Sequence, residues 1–199
     1  MSPRRSVAEA RQTRDRIIGE GVALASVAGL EGVTIGSLSQ ALGLSKAGVV
    51  GPFGSKSALQ AAVLTRALDC FVRDVVAPTA AEPSGLDRLL AVIDRWTAYL
   101  LDGPFPNGCF LTAASCELDG RPGPLRDQLG AAVMAWESFL GVQIATAKQD
   151  GDLPADLDPD DAVATLIGLA MAANQRIQLL GDAEAADRAR RLMRATLSR

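Results

Sequence analysis

Between Thr34 and Lys56 the chain reads TIGSLSQALGLSKAGVVGPFGSK, two short helical patterns that meet at one glycine. Ile35, Leu38, Ala41 and Leu42 recur at spacings of three and four and so share one helix face, with Thr34 ahead of them as a hydroxyl able to cap the first turn. Gly43 supplies the positive φ that stops this helix, and Ser45 is placed to cap a second one. Leu44 and Val49, on either side of that cap, have the spacing of an apolar clamp between the two helices. The outer face of the second helix then offers Ser45, Lys46, Ala47 and Gly48, small or cationic residues that let a backbone approach phosphates and base edges. Pro52 lacks an N–H and disfavours helical geometry at Gly51, so the helix is predicted to end by Val50 or Gly51.

A helix–glycine–helix unit also occurs in helical hairpins that touch no nucleic acid. Charge separates the two cases. Residues 1–56 carry seven Arg or Lys against four acids, a net +3, whereas the whole chain is −3, which leaves −6 for the remainder. An acidic chain whose basic region surrounds this unit is built to present one face to a polyanion.

From Thr13 to about Val76 these residues resemble a TetR-type transcriptional regulator. The likeness is carried by TRDRIIGEGVALASVAG in a first helix, GLEGVTI entering the second, LSQALGLSKAGV as the reading unit, and FGSKSALQAAVL opening a fourth helix. It continues more weakly through NGCFLTAASCELDGRPGPLRDQL and DGDLPADLDPDDAVATLIGL, which look like one branch of the family's ligand-binding domains. The resemblance implies a three-helix head, a connecting helix and a C-terminal bundle that binds a small-molecule effector and forms a homodimer. The chain departs from the family at one place: Val50-Gly51-Pro52 precedes Phe53 where most members carry Tyr, any residue, then His, so a phosphate-contacting hydroxyl is missing. Arg4, Arg5, Lys46 and Lys56 are expected on phosphates of a pseudo-palindromic double-stranded operator. Ser45, Ala47 and Gly48 are expected against base edges, with Thr34 and Val50 completing the DNA-binding set.

Only eight of 199 residues are aromatic, Ala and Leu dominate, and runs of β-branched residues are rare, so the fold class is all-α. A head over residues 1–54 and a ligand-binding and dimerisation domain over 55–199 are expected. Helices are predicted at about 9–27, 35–42, 45–50, 55–76, 86–101, 105–118, 124–149, 159–180 and 183–197, after a basic arm at 1–8 and with a short linker at Pro78, Pro83 and Gly85. No apolar run approaches the roughly 20 residues of a membrane span and no apolar stretch follows the basic N-terminus, so a cytoplasmic protein without a membrane partner is expected.

The chain has no histidine, which excludes Ser-His-Asp and Cys-His machinery. It has no dinucleotide or phosphate-loop motif, and neither a cofactor nor a metal is expected. The acids from Asp150 to Asp161 read as a loop feeding a helix capped by Asp158. The three cysteines, Cys70, Cys109 and Cys116, read as reduced packing residues, although Cys109 and Cys116 could share a helix face as a thiol sensor.

Two further surfaces are predicted. The segment 159–180 is apolar almost all round, so its core must be covered on every side. Such a helix sits at the core centre or faces a second copy of itself; the resemblance implies that with 124–149 it forms the dimer interface, through Leu129, Val133, Leu140 and Ile144 on one segment and Leu166, Gly168, Leu169 and Ala172 on the other. Six of the eight aromatic residues lie between 96 and 139. Trp96, Tyr99, Phe110, Trp136 and Phe139, with Cys109, Cys116, Glu117 and Asn174 as sparse polar groups, read singly as core packing, and the resemblance implies that together they line an effector cavity.

The leading reading is a repressor released from its operator by a small apolar effector, not an enzyme. Two others remain open: a regulator-fold protein that has lost operator binding and acts as a ligand- or protein-binding module, and a helical enzyme using Glu117 as general base.

Overall fold

The computed structural model describes residues 7–198. These form helices α1 (Val7–Gly32), α2 (Ile35–Leu42), α3 (Lys46–Val50), α4 (Lys56–Phe71), α5 (Leu86–Asp102), α6 (Phe110–Leu118), α7 (Pro124–Asp150), α8 (Pro159–Leu180) and α9 (Glu184–Leu197), and no strand among the described residues. The all-α expectation holds. Packing gathers them into two units, one of Met1–Asp69 with Ala113–Leu129 and one of Cys70–Thr112 with Gly130–Arg199.

In the first unit α1 breaks at Gly29, whose φ of 74° and ψ of 170° interrupt the helix before one further turn closes it. The break strands the N–H groups of Leu30 and Glu31, and the Glu117 carboxylate accepts both at 2.9 Å. Gln60, itself buried, donates to the carbonyls of Leu30 at 2.8 Å and Val33 at 3.4 Å. One short corner is thus held by an acid from α6 and an amide from α4. Glycine is required twice over at 29, because a Cβ there would also lie 2.7 Å from the Glu117 carboxylate. Ile17, Leu30, Leu38, Val49, Leu59 and Leu64 fill the core beneath.

In the second unit α5 buries Leu89, Ile93, Trp96 and Leu100. α8 and α9 form a hairpin through Gly181, at φ 68°, with Asp182 held by Arg176 at 2.7 Å and Arg188 at 3.3 Å. Those guanidinium groups, Arg176 foremost, hold the Asp182 carboxyl below the usual carboxylate range. The segment expected as a linker is ordered: Gln143 accepts from Ser84 Oγ and Gly85 N–H, both at 3.1 Å.

Two helix ends depart from expectation for backbone reasons. α4 does not stay α-helical to Val76, because Pro78 has no N–H to give; residues Val72–Val76 widen into a π-turn, closed by Ala77 N–H on the Val72 carbonyl, and Ala77–Ala81 tighten into a 3₁₀-turn. α6 starts at Phe110 and not at 105, since Gly108 turns at φ 73° and the next N–H, of Cys109, goes to Asn174 Oδ1 at 2.9 Å.

The interface residues need correction. Leu129, Leu140, Ile144 and Leu166 are 3%, 0%, 0% and 0% exposed within a single chain, while Val133 and Leu169 are half-buried. Large branched side chains gain most from burial and fill the chain's own core, so they are not free for a partner. Of the expected set only Gly168 and Ala172 are exposed. The large apolar side chains of α7 and α8 that do face outward are Met134, Val142, Met171, Leu179 and Leu180, at 63%, 54%, 40%, 73% and 62%. An open groove of about 660 Å³ between α7 and α8, walled by Met134, Gly141, Val142, Val163 and Ala164, belongs to this outer face. α7 is also long and apolar enough, with mean hydropathy 1.2, to cross a membrane by length and composition, contrary to the expectation that no such segment exists; 28% of that window is buried.

Candidate functional site

The head forms as the side chains dictate. Thr34 accepts from Ser37 N–H at 2.9 Å while Ser37 Oγ accepts from Thr34 N–H at 3.0 Å, a reciprocal cap that starts α2 at Ile35. Gly43 takes φ 64° and ends α2. Ser39 Oγ donates to the Leu44 carbonyl at 2.5 Å and Leu44 N–H to the Ser39 carbonyl at 3.2 Å, which pins the turn between the helices. Ser45 Oγ accepts from Gly48 N–H at 3.0 Å and opens α3, and Val49 is wholly buried.

Ser45, Lys46 and Ala47 are consequently exposed on the first turn of α3, Gly48 is partly so, and Thr34 is exposed at the start of α2. Val50 is half-buried at the end of α3, where Gly51 and Pro52 leave the helix. Lys56 lies 3.8 Å from Glu31, both on the surface, so its charge is shared with an acid of the same unit. Arg4 and Arg5 fall outside the described residues. The sequence did not single out Arg14, whose guanidinium sits 5.0 Å over the Phe53 ring and braces the turn that follows α3. Its position on the exposed face of α1 gives no sign of that partner.

In the second unit Phe71, Tyr99, Trp96, Trp136 and Phe139 form one aromatic cluster. Phe71 meets Tyr99 at 5.5 Å and Trp136 at 5.0 Å, edge to face; Trp96 meets Trp136 at 5.0 Å, edge to face; Phe139 stacks on Trp136 at 5.6 Å. Trp96, Tyr99 and Trp136 are 4%, 5% and 7% exposed, yet Trp96 Nε1, Tyr99 OH and Trp136 Nε1 have no hydrogen-bond partner among the described residues. Burial, reinforced by the nearby Cys109 and Cys70 thiols and Asp74, pushes the Tyr99 phenol far above its usual range. Burial likewise raises the Cys109 thiol. Tyr99 also borders a surface hollow of about 210 Å³ with Asp74, Arg95, Ala98 and Asp102 around it.

Four residues of the expected lining, Trp96, Tyr99, Trp136 and Phe139, therefore come together. Phe110 pairs instead with Phe105 at 5.6 Å, and Asn174 is engaged by the Cys109 N–H. Cys116 is exposed, not a packing residue, and with Glu117 belongs to the first unit, where Glu117 holds the corner after Gly29. Phe71 was missed because it lies outside the stretch in which the other aromatics are concentrated.

Comparison with known proteins adds the following. Residues 85–193 match the family model described as tetracyclin repressor-like, C-terminal domain. No curated protein matches the sequence. Among solved structures, a TetR transcriptional regulator from Chloroflexus aurantiacus J-10-FL superposes with a TM-score of 0.87 at 23% identity, covering 95% of this chain and 96% of that one. A TetR-family transcriptional regulator from Cytophaga hutchinsonii gives 0.82 at 21% identity, with 97% and 96% covered. AibR, solved in complex with isovaleryl coenzyme A and operator DNA, gives 0.74 at 20% identity, with 91% and 97% covered.

Proposed function

This chain belongs to the tetracyclin repressor-like family, matching its C-terminal domain over more than half of its length, and we propose that it works as a homodimeric repressor released from its operator by a small effector. It is a ligand-responsive DNA-binding regulator. The observation that carries the reading is the exposed first turn of α3, with Ser45, Lys46 and Ala47 outward and no acid among residues 45–56. The N-terminal turn of a reading helix is where base edges are met, with Lys46, Lys56, Arg4 and Arg5 supplying phosphate contacts.

A two-fold axis suits such a head, because two half-sites then meet two identical α3 helices. The outward apolar side chains of α7 and α8, Met134, Val142 and Met171 beside Gly168 and Ala172, support a dimer through those helices. Desolvating that face against its own copy removes apolar area that a monomer leaves in water. The cytoplasm is the proposed location, as fits a regulator that must reach DNA, and no catalytic activity is proposed.

Fragments selected from the source genome by the purified protein provide the operator, and titration across salt concentrations provides the test. Lys46→Ala is expected to weaken binding to all fragments alike and to reduce the slope of log affinity against log salt by roughly two, about one for each protomer. An unchanged slope would remove Lys46 from the phosphate contacts, and the absence of any sequence-selective complex would remove the operator.

A further inference from the structure

We infer that the effector is an uncharged molecule carrying a hydrogen-bond acceptor, a carbonyl or ether oxygen on a compact apolar body, received by the indole N–H groups of Trp96 and Trp136 and the hydroxyl of Tyr99. The inference rests on the reading that this unit takes an effector, and it specifies the chemistry of that effector.

Three polar groups in one aromatic cluster, all at least nine-tenths buried, lack an acceptor among the described residues. A buried donor without a partner is disfavoured, and native interiors rarely hold even one such group. An indole N–H can only donate. The phenol can donate or accept, but burial opposes its ionisation, so it stays an O–H. The complement to two obligatory donors and a third hydroxyl is an acceptor oxygen.

The charge of the effector follows from what surrounds the donors. Among the described residues of this unit the buried polar side chains are Thr79, Thr97, Gln143 and Asn174, none of them ionised, and the one buried charged oxygen, Asp94 Oδ1, is itself an anion, on a carboxylate paired with Arg194 at 2.7 Å. A carboxylate placed against the indoles would have no buried cation to offset its desolvation, and an ammonium would face donors where it needs acceptors. The aromatic faces favour a cation less than they could, because they are already used: Phe139 stacks on Trp136, and the edges of Phe71 and Trp96 meet rings of the same cluster. Charged groups near Tyr99 lie at the solvent-facing hollow, where Asp74 is bonded to Arg73 at 2.6 and 2.7 Å. Tyr99 is common to that hollow and to the cluster, where its ring meets Phe71.

The test uses the full-length protein labelled with ¹⁵N at its two tryptophans and four probes of one shape: acetophenone, ethylbenzene, benzoate and phenyltrimethylammonium. Each tryptophan gives one indole N–H signal, and a hydrogen bond moves that signal downfield. Acetophenone is expected to shift one or both signals downfield with saturation, ethylbenzene to bind more weakly without the downfield shift, and the two ions to leave both signals in place. Tyr99→Phe should weaken acetophenone about three- to tenfold, the loss of one hydrogen bond. Saturable shifts caused by benzoate or phenyltrimethylammonium with none from acetophenone would overturn the uncharged-acceptor class while leaving an effector site in the cluster. No shift from any probe would overturn both, and the operator titration above would then stand without an effector in this cluster.

Discussion

Glu117→Ala removes the carboxylate that accepts the two N–H groups freed at the Gly29 break of α1, and its cost can be worked from the geometry. Two N–H groups, of Leu30 and Glu31, each donate to the carboxylate at 2.9 Å. The Glu31 bond is exposed, so water replaces it and the loss there is a few tenths of a kcal/mol at most. The Leu30 bond is part-buried, beside a side chain only 1% exposed, and a charge-assisted bond of that kind contributes about 1.5–3 kcal/mol. The total is about 2 kcal/mol. For a chain of this size that corresponds to a fall in Tm of about 4–8 °C in the transition that includes the head. Glu117→Gln keeps one acceptor oxygen but turns an NH₂ towards the second N–H, so it should recover about half. Thermal unfolding by circular dichroism measures both, and amide exchange at Leu30 and Glu31 should quicken in parallel. An Ala variant as stable as the parent, or a Gln variant no better than Ala, would refute the capping argument.

Three other outcomes are expected. Tyr99 is the chain's single tyrosine, and its folded pKa is raised above the unfolded value of about 10, so the unfolded chain ionises first and stability, intact below that pH, falls as pH rises beyond it. Tyrosinate absorbance should therefore appear together with unfolding; a midpoint near 10 in folded protein would contradict the burial. Val142→Asp, at a site 54% exposed on the α7 face, should yield a folded monomer in sedimentation with operator affinity lost, and a variant that stayed dimeric would move the interface elsewhere. Arg14→Ala should cost the head about 0.5–1 kcal/mol through the lost contact with Phe53, and an unchanged denaturant midpoint would show the stacking to be without weight.

What was legible in the sequence was local. Thr34, Gly43, Ser45 and Pro52 act on backbone within four residues of themselves, and they set the limits of α2 and α3 where expected. Pro78 marks a linker in the sequence, while its effect one turn upstream, on the α4 hydrogen-bond register, carries no local sequence signal. The interface expected on α7 meets a related limit. On a helix apolar nearly all round, periodicity finds a stripe without saying whether it points to the chain's own core or to a partner, and Leu140 and Ile144 went to the core. Glu117 illustrates the remaining limit. Its partners lie 86 and 87 residues away, and an acid among aromatics in sequence reads as a pocket residue until the fold assigns it to a backbone corner. The aromatic cluster was found by its concentration in one stretch, a signal that could not include Phe71.

The brevity of α3 also limits how much sequence it can distinguish. Five residues at a rise of about 1.5 Å span about 7.5 Å, close to two base-pair steps of 3.4 Å. Such a helix reads two or three base pairs, and at about two bits for each fully specified pair, two half-sites together yield about 8–12 bits. Finding one address among about a million competing positions takes about 20 bits. Roughly half of the address must then be written in features α3 does not touch: the spacing of the half-sites, which the proposed dimer would measure, and the stiffness and groove width of the DNA between them. An operator for this head should accordingly tolerate base changes within its half-sites better than it tolerates an inserted or deleted pair at its centre.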